Sequence, residues 1–476
     1  MRNYRVSLKD GCNMMIRNNL NILTRTRENT KEECFLSPEA ALALCCFQNQ
    51  FSIQKTVRYL VSVSGGEAEV VAGKIYSLLE KLQDYIQLES CEDDCEESDG
   101  CLYDCDLDMR QLSCNPHPYG RVKRSFAPEK IVFNITDYCP RECIYCFNGA
   151  KCITKYKAVD EFLTLSRFEE VLQEAKKIGV KTIEIGGGDP FVCRDIIEYL
   201  AICDKYYPGA WGTSTKAYVS KAAAARLAQL STVDIQISLD AFDEEIADTL
   251  MGVSGSYGQV LESFQNLLSA GICPSAKMVI TSLNCHLVKE SFYKFAEMGI
   301  KTIRANAYMM SPNRHSDDLY PSDVQIAQFN SEVREILEFA KAKGIRTDIS
   351  EIKVPTVSGG QGVDNRVLCG ASSTDMYIRY DGMMIFCGQI NNCEELTIGS
   401  LKEHGVLELW HSKKIDSLYR PSYWKDKFKN TKCASCAEYN ECYPKRCYVR
   451  SYAVYGSFFE VDPSCPYGKE GYINRG

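Results

Sequence analysis

Ile131-Val-Phe-Asn-Ile-Thr136, followed almost at once by Cys139-Pro-Arg-Glu-Cys143-Ile-Tyr-Cys146, is the stretch that decides the fold. The first run is apolar and β-branched and predicts a strand. The second sets three thiols in a tight loop just past that strand's carboxyl end. Three converging thiolates suit a four-iron cubane and leave one iron without a protein ligand, open to a cofactor or substrate. A structural zinc ion with a fourth ligand such as Cys152 is the competing reading, although zinc favours paired short spacings.

The pattern continues outward as β–α units. Ser166 is expected to cap a helix, with Glu169 completing a capping box, and Phe168, Val171, Leu172, Ala175 and Ile178 follow at helical spacing. Gly179 ends that helix before the strand Lys181-Thr-Ile-Glu-Ile185. The same punctuation recurs at Gly271, Gly299 and Gly344. Strands are expected near 131–136, 182–186, 211–215, 234–239, 276–281 and 302–307. Strands alternating with helices imply a parallel sheet with right-handed crossovers. The fold class expected is α/β, a curved and incomplete (β/α)6 TIM barrel, with its chemistry at the carboxyl ends of the strands.

A Cys-x3-Cys-x2-Cys loop after a first strand, with aromatic Tyr145 before its last cysteine, resembles the radical S-adenosylmethionine (radical SAM) superfamily. The resemblance implies a [4Fe-4S] cluster on Cys139, Cys143 and Cys146. Its open iron would chelate S-adenosyl-L-methionine, whose cleavage yields a 5′-deoxyadenosyl radical that takes hydrogen from a substrate. Gly186-Gly187-Gly188-Asp189-Pro190 resembles the family's Gly-Gly-Glu-Pro segment, which holds the methionine amino group, with aspartate standing for glutamate. Ser238-Leu-Asp240 resembles its Ser-Leu-Asp-Gly segment, with Ala241 in place of glycine; Ser238 and Asp240 are expected at the ribose or carboxylate. An arginine common about ten residues on is replaced by Leu250-Met251, and Lys277 or Arg304 is the expected substitute cation.

Beyond about residue 350 cysteine, glycine and tyrosine dominate. Cys369, Gly382, Cys387, Cys433, Cys436, Cys442, Cys447 and Cys465 follow the order of a SPASM domain, the extension of many peptide-modifying radical SAM enzymes. Four residues, not the usual three, precede Cys447. The resemblance implies two auxiliary [4Fe-4S] clusters, one on Cys433, Cys436, Cys442 and Cys465. Cys369, Cys387 and Cys447 would hold the other, with Cys393 or an open site completing it. A zinc ribbon is the alternative for the Cys-x2-Cys pair alone.

Residues 1–88 combine strand-like runs (Tyr4–Leu8, Asn13–Arg17, Asn21–Arg25) with three helical patterns. Ser37 and Pro38 open one helix, Ser52 caps the second, and Ala68–Ile86 makes the third. Beside a SPASM extension this resembles the winged-helix recognition element of ribosomal-peptide maturases, which takes up a leader peptide as an added strand; an unrelated helical cap is the alternative. Residues 89–125 read as a linker. It is acidic, with ten acidic and no basic residues over 89–108, and carries Cys91, Cys95, Cys101, Cys105 and Cys114, whose role stays open. The expected domains are therefore 1–88, 89–125, 126–350 and 351–476.

Composition bounds the rest. The chain has 476 residues, 25 cysteines and a net charge of −8, which speaks against nucleic-acid binding. No signal-peptide core or membrane-length apolar run is visible, so a cytoplasmic protein with reduced thiols is expected. The five histidines, 117, 286, 315, 404 and 411, form no pair and are expected to be structural. The resemblance points to an enzyme that modifies a ribosomally made precursor peptide, fed electrons by a flavodoxin or ferredoxin. A thioether or carbon–carbon crosslink is the favoured product. Peptide epimerisation is an alternative, with Cys152, Cys193, Cys273 or Cys285 as hydrogen donor. Sulfatase-type formylglycine formation and a non-catalytic electron-transfer role complete the field.

Overall fold

The computed structural model describes residues 3–17, 20–27, 30–48, 51–91, 125–155, 162–231, 234–309, 311, 313–352, 370–390, 393–415, 427–437, 439, 447, 451–452, 455–457, 459–462 and 465. Cys95, Cys101, Cys105, Cys114, His117, Cys369 and Cys442 lie outside these residues.

The amino-terminal region has five strands: β1 (Asn3–Leu8), β2 (Cys12–Arg17), β3 (Leu20–Arg27), β4 (Thr30–Leu36) and β5 (Ile86–Cys91). β2, β3 and β4 form an antiparallel meander, and β1 pairs with β5. Helices α1 (Pro38–Gln48), α2 (Ile53–Ser64) and α3 (Ala68–Lys81) pack on them around Leu23, Leu42, Phe47, Ile75 and Leu79. Ser37 and Ser52 cap α1 and α2 as expected, each hydroxyl accepting a backbone N–H three residues on. One expectation fails here, and one strand is added. The third helix stops at Lys81, and Ile86 opens β5 instead, so the acidic stretch begins inside a strand. β4 was not expected, because Thr-Lys-Glu-Glu carries no apolar alternation.

A ten-stranded sheet dominates the rest. β6 (Lys130–Asn134) precedes the cysteine loop, in which β7 (Tyr138–Cys139) and β8 (Lys151–Cys152) make a short parallel pair. The sheet continues with β9 (Thr182–Gly186), β10 (Trp211–Thr215), β11 (Asp234–Ser238), β12 (Ser275–Ile280), β13 (Thr302–Ala307) and β14 (Arg346–Thr347). All are parallel and paired in chain order from β6 to β14, so the six expected strands are present and adjacent. The expected partial-barrel α/β class is the one observed. On the other side of β6 the sheet adds β15 (Asp375–Ile378), parallel, then β16 (Met383–Ile385) and β17 (Thr397–Ser400), antiparallel.

Alternation along the strands sorts the two faces. Ile131, Phe133, Ile183, Ile185, Ile235, Ile237, Met278 and Ile303 are buried against α4 (Leu165–Lys177), α5 (Ile196–Tyr206), α6 (Lys221–Leu227), α7 (Glu244–Met251), α8 (Ser256–Ser269), α9 (Val288–Glu297) and α10 (Asp323–Lys343). The opposite face is polar, carrying Lys130, Glu184, Asp234, Gln236, Lys277 and Arg304. The cap of α4 is Thr164 rather than Ser166: Thr164 is extended and its hydroxyl accepts from the Arg167 N–H at 3.2 Å, which places Ser166 inside the first turn. The amino-terminal region is pinned to the barrel. Asn13 exchanges two 3.0 Å hydrogen bonds with Ala127, and the Gly11 N–H donates to the Lys177 carbonyl. No described helix is long and apolar enough to cross a membrane.

Candidate active site

The cysteine loop follows β6, and the turns after β9, β10 and β11 reach it through Gly188 and Asp189, Lys216 and Asp240. Cys139 and Cys143 are each 8% exposed and Cys146 is half-buried, and all three are free thiols. Burial, then Asp189, pushes the Cys139 thiol up; burial also raises Cys143, with Lys216 acting against it. The Arg141 N–H points at Cys139 Sγ, 3.4 Å away. Among the described residues no three His, Cys, Asp or Glu side chains converge on a point a single metal ion would fill. Three free thiols in one loop, one already accepting a backbone N–H, could hold an iron–sulfur cluster.

The loop is held by backbone from two sides. The Glu142 and Ile144 N–H groups donate to the Met251 and Leu250 carbonyls at 2.9 and 3.1 Å, so the dipeptide standing where an arginine was sought supplies carbonyls to the loop. Gly252 follows with φ +66°, and a Cβ there would lie 2.4 Å from the Glu142 carbonyl oxygen. On the other side the Gly188 and Asp189 N–H groups donate to the Thr136 and Tyr138 carbonyls at 2.6 and 2.8 Å. A Cβ on Gly187 or Gly188 would lie 2.4 or 2.2 Å from those same oxygens. These two glycines are therefore required by the approach of the cysteine loop itself. Gly186, the last residue of β9, is less crowded.

The side chains expected at the cofactor are partly committed to protein. Asp189 is buried and accepts from Phe191 N–H, Thr215 Oγ1, Lys216 N–H and Ala217 N–H at 2.7 to 3.0 Å. Its carboxylate thus ties the turn after β9 to the turn after β10. Asp240 is also buried and accepts from Tyr145 OH, Lys216 Nζ (2.7 Å) and Val279 N–H (2.8 Å). Lys216 Nζ in turn donates to the Tyr145 hydroxyl. Burial opposes the Lys216 charge, but Asp240 and Cys143 outweigh it and hold the ammonium above the usual lysine range. Ser238 ends β11, half-buried, beside Lys277 in register.

Lys277 and Arg304 are not the cation at the loop. On the polar face, Lys277 bonds Asn306 and lies 3.6 Å from Asp348, and Arg304 pairs with Asp234 at 2.9 Å. The cations that do reach the loop are Lys216, Arg141, Arg314 and, at the surface, Lys155, which pairs with Glu142 at 2.7 Å. Arg141 is buried and donates to the Lys216 carbonyl (3.0 Å) and Gln259 (2.9 Å). Arg314 donates to the Cys143 and Ala150 carbonyls at 3.0 and 2.9 Å. Lys216 was legible as the residue just past the third barrel strand and Arg141 as part of the loop; Arg314 carries no local signal.

The candidate hydrogen-donor thiols scatter. Cys152 is buried beside Cys139 in the β7–β8 pair, and Cys193 is half-buried after the short helix Pro190–Val192. Cys273 precedes β12, at the end of the barrel opposite the site, and Cys285 is 2% exposed in the core. Among the described histidines, His315 bonds Tyr308 and Asp317, His404 bonds Glu408, and His411 bonds the Phe126 carbonyl. His286 lies in the short helix before α9.

In the carboxyl-terminal region, Phe386, Ile390, Leu396, Phe428 and Tyr439 form a small core. Cys387, Cys393, Cys433, Cys436 and Cys447 all pack against it. Asp462 accepts from the Cys447 N–H through its carboxylate (2.9 Å) and from the Cys465 N–H through its carbonyl (2.8 Å), bringing both to one residue.

Fold and site together define a radical SAM enzyme with a carboxyl-terminal region for auxiliary iron–sulfur clusters. Residues 133–297 match the radical SAM superfamily and residues 369–437 an iron–sulfur cluster-binding SPASM domain. Its cofactors are S-adenosyl-L-methionine, a [4Fe-4S] cluster and auxiliary iron–sulfur clusters. The chain is 25% identical to the mycofactocin maturase MftC of Mycolicibacterium smegmatis over 66% of this chain and 77% of that protein. It is 21% identical to the PqqA peptide cyclase of Bradyrhizobium diazoefficiens over 71% of this chain and 86% of that one. Its fold is similar to Streptococcus suis SuiB, solved with S-adenosylmethionine bound, with a TM-score of 0.58, 18% identity, and coverage of 96% of this chain and 99% of that chain.

Proposed function

We propose that this enzyme matures a ribosomally synthesised precursor peptide by hydrogen abstraction, forming a thioether or carbon–carbon crosslink. The observation that carries this reading is the auxiliary core, where five cysteines gather on a region hydrogen-bonded into the same sheet as the radical source. A crosslink removes two hydrogens from the peptide. One leaves as the abstracted atom; the other leaves as a proton, and its electron needs an acceptor, which an auxiliary cluster supplies. The sequence relatives, a mycofactocin maturase and a PqqA peptide cyclase, support the same direction.

Within this reading Cys139, Cys143 and Cys146 hold the first cluster, which when loaded with S-adenosylmethionine supplies the radical. Gly186, Gly187, Gly188, Asp189, Tyr145, Ser238 and Asp240 shape the cofactor's seat, the acids through the turns they brace. Cys433, Cys436, Cys442 and Cys465 hold one auxiliary cluster; Cys369, Cys387 and Cys447 hold the other, with Cys393 as the near fourth thiol. Residues 1–88 take up the leader peptide as a strand on the β2-β3-β4 meander. Its outer strand β4 pairs only with β3 among the described residues and leaves Phe35 66% exposed. A flavodoxin or ferredoxin supplies the reducing electron.

The test is the mass of a precursor peptide encoded beside this chain after incubation with reduced, reconstituted enzyme. Loss of two hydrogens, abolished when the leader is removed, is expected. Unchanged mass with deuterium uptake from heavy water would replace the crosslink by epimerisation. Full reconstitution should give about twelve irons per chain, four per cubane, and fewer than about eight would remove the three-cluster assignment.

A further inference from the structure

We propose that the lysine face beside Cys433 and Cys436 docks an acidic one-electron carrier of the flavodoxin or ferredoxin class, which collects the electron that crosslinking leaves on the auxiliary cluster. The inference rests on the crosslinking reading and on those cysteines as cluster ligands, and it names where the electron leaves the chain. Each crosslink takes two hydrogens from the peptide. The 5′-deoxyadenosyl radical carries off one as an atom, water takes the other as a proton, and the remaining electron reduces the auxiliary cluster by one unit. A further turnover needs that cluster oxidised again. The oxidised carrier takes the electron and becomes a semiquinone if a flavodoxin, or a reduced cluster if a ferredoxin.

Charge marks the face. Residues 413–432 hold seven basic and two acidic residues in a chain of net charge −8. Among the described ones, Lys413, Lys414, Lys427, Lys429 and Lys432 are exposed. They belong to two segments, and both meet the turn at Glu394 and Glu395. Lys414 Nζ donates to the Glu394 carbonyl at 3.2 Å, and Lys427 pairs with Glu395 at 2.8 Å. Five lysines against two carboxylates leave the face positive.

The same segment is joined directly to the cysteines. Phe428 is fully buried in the auxiliary core against which Cys433 and Cys436 pack, and Lys427 and Lys429 flank it at the surface. The Phe428 carbonyl accepts from the Thr431 N–H and hydroxyl, both at 2.8 Å, and that hydroxyl accepts from the Cys433 N–H at 3.2 Å. Lys432 then opens the short helix Lys432–Ser435, which carries Cys433. Cys433 and Cys436 are half-buried, whereas Cys139 and Cys143 are each 8% exposed. Exposed lysines beside the radical source are neutralised in pairs, Lys151 by Asp137 and Lys155 by Glu142, each at 2.7 Å. An acidic partner is therefore drawn to the auxiliary end, where the thiols lie nearer the surface. Such attraction reaches about a Debye length, ~10 Å at 0.1 M salt, and speeds encounter more than it tightens binding.

Electron exchange without peptide tests this. Dithionite-reduced, desalted holoenzyme is mixed with oxidised flavodoxin, and semiquinone absorbance is followed in stopped flow. C139A/C143A/C146A leaves the auxiliary clusters as donors and should keep the rate. K427E/K429E/K432E should lower the second-order rate constant about tenfold at low salt, and the difference should close by ~0.5 M salt. With cytochrome c, a cationic acceptor, the same variant should be faster than wild type. K221E/K301E/K341E, matched in net charge and exposed elsewhere on the barrel, should change either rate by less than about twofold. If K427E/K429E/K432E fails to hold its iron, K413E/K414E and K427Q/K429Q/K432Q carry the test, each lowering the flavodoxin rate by about threefold or more. An iron-replete charge-reversed enzyme that keeps the wild-type flavodoxin rate, or loses no more than the matched control, overturns the proposal. An unchanged flavodoxin rate with weakened binding of the precursor peptide overturns it too, and assigns the face to the substrate. A wild type that reduces flavodoxin through this face yet leaves the peptide's mass unchanged keeps the docking face and removes the crosslinking reading instead.

Discussion

Replacing Gly252 with alanine should disable the enzyme without touching a cofactor ligand. Gly252 adopts φ +66°, and its added Cβ would sit 2.4 Å from the Glu142 carbonyl oxygen and 2.9 Å from its carbon. Holding a non-glycine residue left-handed costs ~1–2 kcal/mol. Restoring van der Waals distance needs a displacement of about 1 Å between the end of α7 and the cysteine loop. That movement strains the Glu142-to-Met251 and Ile144-to-Leu250 hydrogen bonds, each worth ~1 kcal/mol, so the total loss is about 2–4 kcal/mol. The catalytic loss is larger, because a reacting centre misplaced by about 1 Å costs on the order of 100-fold in rate. Gly255 is the control: its φ is +74° and nothing lies within 4 Å of its would-be Cβ. Gly255→Ala should carry the backbone cost alone and leave the rate near wild type. The assay is 5′-deoxyadenosine formed per minute by dithionite-reduced enzyme, normalised to iron, with thermal melts alongside. A G252A enzyme within twofold of both wild type and G255A in rate would refute the argument that the α7 end seats the loop.

Two further outcomes follow from local structure. Thr164→Ala should destabilise by ~1 kcal/mol through loss of the α4 cap, whereas Ser166→Ala should cost only a few tenths, measured by urea unfolding; the reverse order would restore the cap read from sequence. Burial, with Glu332 adding to it, pushes the Cys285 thiol from 9.0 up to about 11. The folded state therefore binds this proton more tightly, so its contribution is whole below about pH 9 and is lost as pH rises towards 11. Against Cys285→Ala, wild type should lose up to roughly 2 kcal/mol of its advantage across that window. An advantage that stays constant with pH would show that Cys285 does not titrate with unfolding.

The strands of the barrel were legible because each is short, most alternate buried apolar with polar residues, and several follow a glycine that closes the preceding helix. The cysteine loop was legible for a different reason, since thiol spacing constrains chemistry directly. β4 escaped because its sequence is polar, and an edge strand in a meander needs only backbone pairing on one side. The end of α3 escaped because Tyr85 and Ile86 continue its apolar spacing, while a run of backbone bonds from 82 to 86 turns the chain out of the helix. β15 escaped because it joins β6 across a sequence gap of more than 200 residues, and no local pattern encodes such a partner. At the site, motif resemblance located Asp189 and Asp240 but not their partners. Both carboxylates are buried, and a buried carboxylate gathers donors from whichever strand ends lie closest, which depends on tertiary placement.

That placement also bears on the chemistry proposed. Cys387 lies two residues beyond β16, and β16 is joined through β15 to β6, the strand that leads into the cysteine loop. The auxiliary core and the radical source thus sit on one continuous hydrogen-bonded sheet. The junction is further fixed at Ser125, whose N–H and hydroxyl donate to the Ser373 carbonyl and whose own carbonyl accepts from Trp410 Nε1 at 2.9 Å. Asn13 grips Ala127 two residues on, so the amino-terminal region is held at the same point. A peptide bound by its leader on β4 would then meet the radical and the electron acceptor at fixed separations. Fixed separations select which residue of a bound peptide reaches the radical, and the length of peptide between leader and target becomes the adjustable quantity. Lengthening that spacer by a few residues should therefore shift or abolish modification while leaving leader affinity unchanged. A tolerant spacer would show that the three regions move relative to one another during turnover.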